Sequence, residues 1–264
     1  MSSTATIIDL SVWQLGMALV LVAAIIVVSL RQSLGLERDL AIGTVRAIVQ
    51  LYAVGLILAA VFSVARWYWI LLILGVMTGV ATQAAVSRLG KPVPGATWIA
   101  AIALTVSTAA TLAYVIGVVV QVRPWYEPQY IIPIAGMILG NSMTSAALAG
   151  DRLQSDLRAR SDEIEARLAL GFSGREALQP MVRASLRAAM IPTVNGMMTV
   201  GLVQLPGMMT GQILAGSSPL VAIRYQMVVV FMQGAATALG SLLFVRMAAG
   251  RYLTPAHQLR RYML

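Results

Sequence analysis

The sequence predicts an all-α fold, a polytopic transmembrane helix bundle of about seven spans. Three observations carry that prediction: the scarcity of charge, the length of the apolar runs and the lopsided placement of the basic residues. Of the 264 residues, 59% are hydrophobic and 11% are charged, and the mean hydropathy is +0.82. A soluble domain carries roughly 25% charged residues. A helix crossing a bilayer needs roughly 20 largely apolar residues, because in lipid its backbone must satisfy its own hydrogen bonds.

Apolar runs fall at residues 12–30, 41–62, 67–86, 98–120, 130–149, 191–214 and 221–245. The first is read as a span, because residues 1–10 before it carry no Lys or Arg and the run outlasts a signal-peptide core. The second carries Arg46 and Gln50 near its start. Trp67, Trp69, Trp98, Trp125 and Tyr126 sit at the ends of runs, where amphipathic rings anchor at the headgroup level. The sixth contains Pro192 and Pro206, and proline in a helix removes a backbone hydrogen bond. Residues 1–264 read as a single membrane domain whose one long polar region is a loop at about 150–190.

Orientation follows from basic charge, which accumulates on the cytoplasmic side. With the N-terminus outside and the C-terminus inside, that side receives Arg31, Arg38, Arg46, Arg88 and Lys91, then Arg152, Arg158, Arg160, Arg167, Arg175, Arg183 and Arg187, and finally Arg246, Arg251, Arg260 and Arg261. Arg66, Arg123 and Arg224 remain outside. The bias accounts for the net charge of +9 without a nucleic-acid-binding face. The chain has no Cys and one His, His257, which excludes disulfides, thiolate metal sites and clustered imidazoles. It contains no P-loop, so it carries no nucleotide-hydrolysing site of its own and reads as a transport subunit rather than an enzyme.

In the polar region, Leu153, Leu157, Ile164, Leu168 and Leu170 recur at helical spacing among mixed charges. Asp162, Glu163 and Glu165 precede Arg167, as on a solvated helix surface. Gly171 and Gly174 bracket Phe172 and Ser173, a turn able to present an aromatic ring. A second helix resumes from Arg175 with Pro180 as an expected kink. The unit suits docking of a cytoplasmic partner, with Gly171, Phe172 and Arg175 at its turn.

Residues 191–226 set Pro192, Asn195, Gly196, Gln204, Pro206, Gly207, Gly211 and Gln212 in an apolar background. Pro192, Pro206, Gly207 and Gly211 are the expected points of helix interruption, and interrupted helices occur where backbone lines a cavity. Amides in a membrane face protein or a pathway, since facing lipid is costly. Met197 with Met198, and Met208 with Met209, form two pairs that either fill irregular helix contacts or touch a soft metal such as Cu(I). Gly140, Asn141, Ser142, Thr144 and Ser145 make a second polar patch, and Arg224, Tyr225, Gln226 and Gln233 a third. Three such patches imply the polar interior that transport requires. The expected pathway residues are Asn141, Ser142, Asn195, Met197, Met198, Gln204, Met208, Met209, Gln212, Tyr225 and Gln226; the metal ligands, if any, are unassigned.

The runs Asn195-Gly196-Met197-Met198 and Leu205-Pro206-Gly207-Met208-Met209-Thr210-Gly211-Gln212-Ile213-Leu214, with Gly140-Asn141-Ser142-Met143 and Arg224-Tyr225-Gln226, resemble the signature of the FetB (YbbM) permease family. The resemblance extends from the first span to the last. It implies a permease of the bacterial inner membrane that pairs with a separate cytoplasmic ABC ATPase, two copies of each, with ATP and magnesium on the ATPase and no cofactor in this chain. Bacterial members are associated with iron export, and plant members with aluminium tolerance. ABC importers carry a Glu-Ala-Ala…Gly docking pattern, to which Glu165, Ala166 and Gly171 are similar in spacing, with Arg167 in place of the second alanine. The alternative is a self-contained secondary carrier or channel for a small solute, against which stands the lack of Asp or Glu within the runs.

Overall fold

In the computed structural model, residues 11–64, 66–90, 93–254, 256 and 258–263 are described. Lys91, His257 and the leader at 1–10 lie outside them. Apolar sequence of this length folds as helix because only intrasegment hydrogen bonding is available in lipid. Nine α-helices result among the described residues: α1 (Val12–Arg31), α2 (Glu37–Val64), α3 (Trp67–Ser87), α4 (Ala96–Tyr114), α5 (Pro128–Ala159), α6 (Ser161–Ala169), α7 (Gly174–Thr199), α8 (Gly207–Leu214) and α9 (Pro219–Arg251). A π-helical turn, Val115–Val120, prolongs α4. Six of these segments are long and apolar enough to cross a membrane: α1, α2, α3, α4 with its π turn, α5 and α9.

The chain divides into two compact units, residues 1–65 with 214–216, and residues 66–213 with 217–264. In the first, α1 and α2 pack as a hairpin. Ser11 opens α1 with a capping box shared with Gln14. The turn is tied by Ser29, whose hydroxyl donates to Glu37 at 2.9 Å and accepts from the Leu36 N–H at 3.2 Å. Gly35 takes a positive φ of 71° there, a conformation glycine adopts without a Cβ clash.

In the second unit, α5 and α9 form the central pair. α3, α4 and α7 pack against α5, while α4 and α7 also pack against α9. Small residues allow close approach where hydrophobic segregation cannot drive association within lipid. Ser107 of α4 and Ser142 of α5 meet at Gly240 of α9, where a Cβ would lie 3.1 Å from Ser107 Oγ and 3.5 Å from Ser142 Cβ. One buried cluster gathers Leu153, Leu157, Ile164, Leu178, Met181, Phe244 and Tyr252, so it joins α5, α6, α7 and α9 at the end where the polar region lies. A second, with Ile131, Ile134, Ile138, Val229 and Met232, sits toward the other end of α5.

The sixth apolar run does not form one helix. α7 begins at Gly174, deep in the polar region, and continues through both Pro180 and Pro192 to Thr199. Neither proline interrupts it, because packing against α5 and α9 holds the helix where propensity disfavours it. The interruption falls at residues 200–206 instead. Gly201 adopts φ +84°, and the Val203 N–H donates to the Thr199 carbonyl at 3.0 Å, closing a turn. Pro206 ends the turn, Gly207 opens α8, and Gly211 lies inside α8 rather than at a break.

Candidate functional site

The turn at 200–206 is positioned by α7 before it and α8 after it, and it faces α5 and α9. Between them lies a cavity of about 480 Å³. Its walls are the amides Asn141, Gln204, Gln226 and Gln233, the hydroxyls Thr144, Ser145 and Thr193, and the thioethers Met137, Met197 and Met208. Pro192, Gly196, Pro206 and Gly207 add backbone, and Leu148, Val200, Val229 and Val230 add apolar surface. The wall is neutral and rich in hydrogen-bonding groups. An adjoining cavity of about 390 Å³, lined by Met209, Ile223, Met227 and Phe231, is apolar. Met197, Pro206 and Gln226 border both.

Two of the three polar patches therefore converge with the interrupted helix. Asn141 Nδ2 donates to the Met137 carbonyl at 3.0 Å, and Thr144 Oγ1 to the Gly140 carbonyl at 3.0 Å. Such back-bonding to the preceding turn satisfies a polar group inside an apolar helix and leaves acceptor capacity on both side chains. Gln226 is 7% exposed, and its Oε1 is buried without a hydrogen-bond partner. A buried, unsatisfied amide oxygen is costly and is the group in this wall best placed to reward a ligand donor.

The other expected pathway residues lie elsewhere. Ser142 is buried and turned away from the cavity, toward Gly240, where Ser107 also packs. Asn195 and Met198 are exposed and line neither cavity. Tyr225 is half-buried on α9 and lines neither cavity. Gln212 is half-buried on α8, with Oε1 lacking a partner. Met197 packs its methyl group onto Gly234 of α9, where a Cβ would lie 2.6 Å away. That is the gap-filling use of methionine. Sequence reasoning missed Met137, Thr193 and Gly201. Gly201 alone carried a signal, as a glycine midway between the two Met pairs.

The polar region is built from the end of α5, all of α6 and the first half of α7. Ile164 is fully buried and anchors α6, whereas Leu170 is 78% exposed and does not join the apolar stripe. Gly171 ends α6 with φ +90°, and the Gly171 and Phe172 N–H groups donate to the Leu168 and Arg167 carbonyls at 3.0 and 3.2 Å, a glycine-dependent helix stop. Phe172 and Ala166 are exposed, as is Arg175. Glu163 bonds Arg160 and Arg167 at 2.7 and 2.9 Å, and the Arg160 guanidinium foremost holds its carboxyl below the ordinary value.

Ser173 caps α7. Its hydroxyl and its N–H donate to Glu176 Oε2 at 2.7 and 2.9 Å, and the Glu176 N–H donates to Ser173 Oγ at 3.4 Å. The hydrogen bond from the Ser173 hydroxyl, then that from its backbone, lowers the Glu176 pKa. A depressed carboxylate contributes stability above its unfolded pKa and loses it as pH falls through its folded one. Acidification into that window is expected to loosen the start of α7. Ser173→Ala at neutral pH should speed amide exchange over the first turn of α7 about 5-fold, as read by hydrogen exchange at both pH values.

Residues 12–253 match the model of the family described as "Uncharacterised protein family (UPF0014)". The chain is 43% identical to "UPF0014 membrane protein slr1647" of Synechocystis over 229 residues, 86% of this chain and 87% of the relative. It is 36% identical to the "Probable iron export permease protein FetB" of Escherichia coli over 246 residues, 93% of each chain. It is 38% identical to "UPF0014 membrane protein STAR2" of rice over 242 residues, 92% of this chain and 84% of the relative. No solved structure matches. With its six long apolar helices, the chain is a multi-pass membrane protein of the kind found in the bacterial inner membrane, and it belongs to the UPF0014 family.

Proposed function

We propose that this chain is the membrane permease of an ATP-driven exporter of iron or a related metal, working with a separate cytoplasmic ABC ATPase. The observation that carries the reading is the neutral polar cavity at the interrupted helix, where α5, α7, the 200–206 turn and α9 meet. Membrane transporters place substrate sites where broken helices expose backbone and polar side chains. The name of the Escherichia coli relative supplies the transport class and the cargo. In this reading α7, the turn and α8 together make an interrupted seventh crossing, which puts the N-terminus outside and the arginine-rich ends inside. Two permeases and two ATPases form the complex. Asn195, exposed on α7, would be costly against lipid and is suited to covering by the second copy.

A second reading of the cargo is favoured by the wall chemistry. Amides, hydroxyls and thioethers suit a chelated metal or a neutral polar solute better than a bare hard dication, which prefers carboxylates. The deciding measurement is ATP-dependent flux of radiolabelled Fe(II) across proteoliposomes holding this chain and its candidate ATPase, with Mn(II), Co(II), Cu(I) and a chelated iron in parallel. Flux that needs ATP is the expected result. Movement without ATP or the second subunit would make the chain a self-contained carrier. ATP hydrolysis with no metal moved would retire the iron assignment and keep the permease.

A further inference from the structure

Beyond α9 the chain folds back on itself. The Thr254 N–H donates to the Gln258 carbonyl at 2.8 Å, and the Arg260 N–H to the Tyr252 carbonyl at 2.8 Å. Leu253 pairs with Leu259, and both, with Met263, pack on the buried cluster that holds Ile164 of α6. This return delivers Arg261 onto α6, 96 and 99 residues away in sequence. Its Nη2 donates to Asp162 Oδ1 at 2.6 Å and to Glu165 Oε2 at 2.7 Å, while its Nε donates to the other Glu165 oxygen. The fork grips Glu165 with two hydrogen bonds and reaches a second carboxylate one turn away.

The grip matters because α6 is only 9 residues long, too short to hold its conformation by local bonding alone. Its neighbours in the structure supply an apolar anchor at Ile164 and, at Asp162 and Glu165, this long-range polar clamp. Tyr262, next in sequence to Arg261, is 81% exposed, and in the turn that follows α6 Leu170 is 78% and Phe172 47% exposed. Exposed Arg175 and Arg183 lie on the next helix.

We propose that Arg261 is a positioning residue that makes the C-terminal segment part of the docking face for the ATPase. It fixes α6 and the segment that carries Tyr262, and that residue joins Leu170 and Phe172 in the docking face. The docking half of this rests on the function proposed above. The partner surface that fits is an apolar cleft with an acidic rim, complementary to three exposed apolar side chains flanked by arginines. Glu165 in this account is an internal anchor for the tail and not a contact offered to the ATPase.

The test uses the full chain in nanodiscs, as wild type, R261E, the charge-swapped D162R/E165R/R261E and Y262A. R261E is expected to speed amide exchange in α6 and residues 259–263 about 5-fold, and the swapped chain to recover it. Purified ATPase should bind R261E and Y262A about 5- to 10-fold more weakly than wild type. Y262A should leave α6 exchange unchanged. Unaltered α6 exchange in R261E would overturn the clamp. An ATPase that binds wild type, R261E and Y262A equally would overturn the docking role alone. An ATPase that binds no form, wild type included, would remove the ATP-driven reading and the docking role, while the exchange arm still reads the clamp.

Discussion

Gly150→Leu is expected to cost about 3 kcal/mol, a large part of the roughly 5–15 kcal/mol that holds a domain folded. Gly150 is buried on α5, where that helix meets α9 and the end of α3. A Cβ there would lie 2.7 Å from Leu89 Cδ2 and 2.7 Å from Phe244 Cε1, well inside van der Waals contact. Phe244 is itself 2% exposed, so its ring has little room to retreat, and interiors packed like crystals transmit such strain. A leucine adds three more carbons to the same gap. The melting temperature in detergent should fall by roughly 10 °C. Gly75→Ala, where nothing lies within 4 Å of the added carbon, is the control and should leave melting unchanged. An unaltered melt for Gly150→Leu would mean that the α5–α9 seam is not the central packing of this unit.

Gln226→Leu is expected to separate stability from transport by moving them in opposite directions. The amide oxygen is buried without a partner, and a near-isosteric apolar side chain removes that penalty. The folded chain should gain about 1 kcal/mol. Transport should fall at least about 10-fold, because a group that bonds the passing solute is worth about 1.4 kcal/mol or more in the limiting state. Asn141→Leu should lower flux in the same assay. Gln226→Leu with full flux and a raised melt would leave the amide as a packing defect and move the pathway elsewhere. A stability loss would mean that the amide has a protein partner.

Much of the architecture is legible in the chain because membrane helices are specified locally. Each apolar run must satisfy its own backbone, so the five helices α1, α3, α4, α5 and α9 begin within about three residues of the hydropathic runs or are extended outward by polar turns. The turn at Gly171 was equally legible, since a positive φ of 90° is the conformation that glycine accepts most readily. The helix break was legible in part, since Pro206 and Gly207 border it while Pro192 lies inside α7. Pro192 loses one hydrogen bond, which helix packing against α5 and α9 overrides, whereas Gly201 provides the left-handed residue at which the chain turns.

Which face of a helix looks inward was decided only by the tertiary structure. Asn141 and Ser142 are neighbours in sequence, yet about 100° of helical rotation sends one into the cavity and the other against Gly240. A spanning helix is apolar all round, so composition does not mark its inner face as it does in a soluble bundle. Long-range partners were hidden likewise: Glu165 reads as a free docking carboxylate until Arg261, 96 residues on, is found holding it. The sequence by itself determined the fold class, the long apolar helices and the family, because these follow from local hydrogen bonding in lipid and from residue identity. The tertiary structure decided the break at Gly201, the convergence of amides and thioethers on one cavity and the Arg261 clamp, because each depends on helix rotation and contacts that no local pattern encodes.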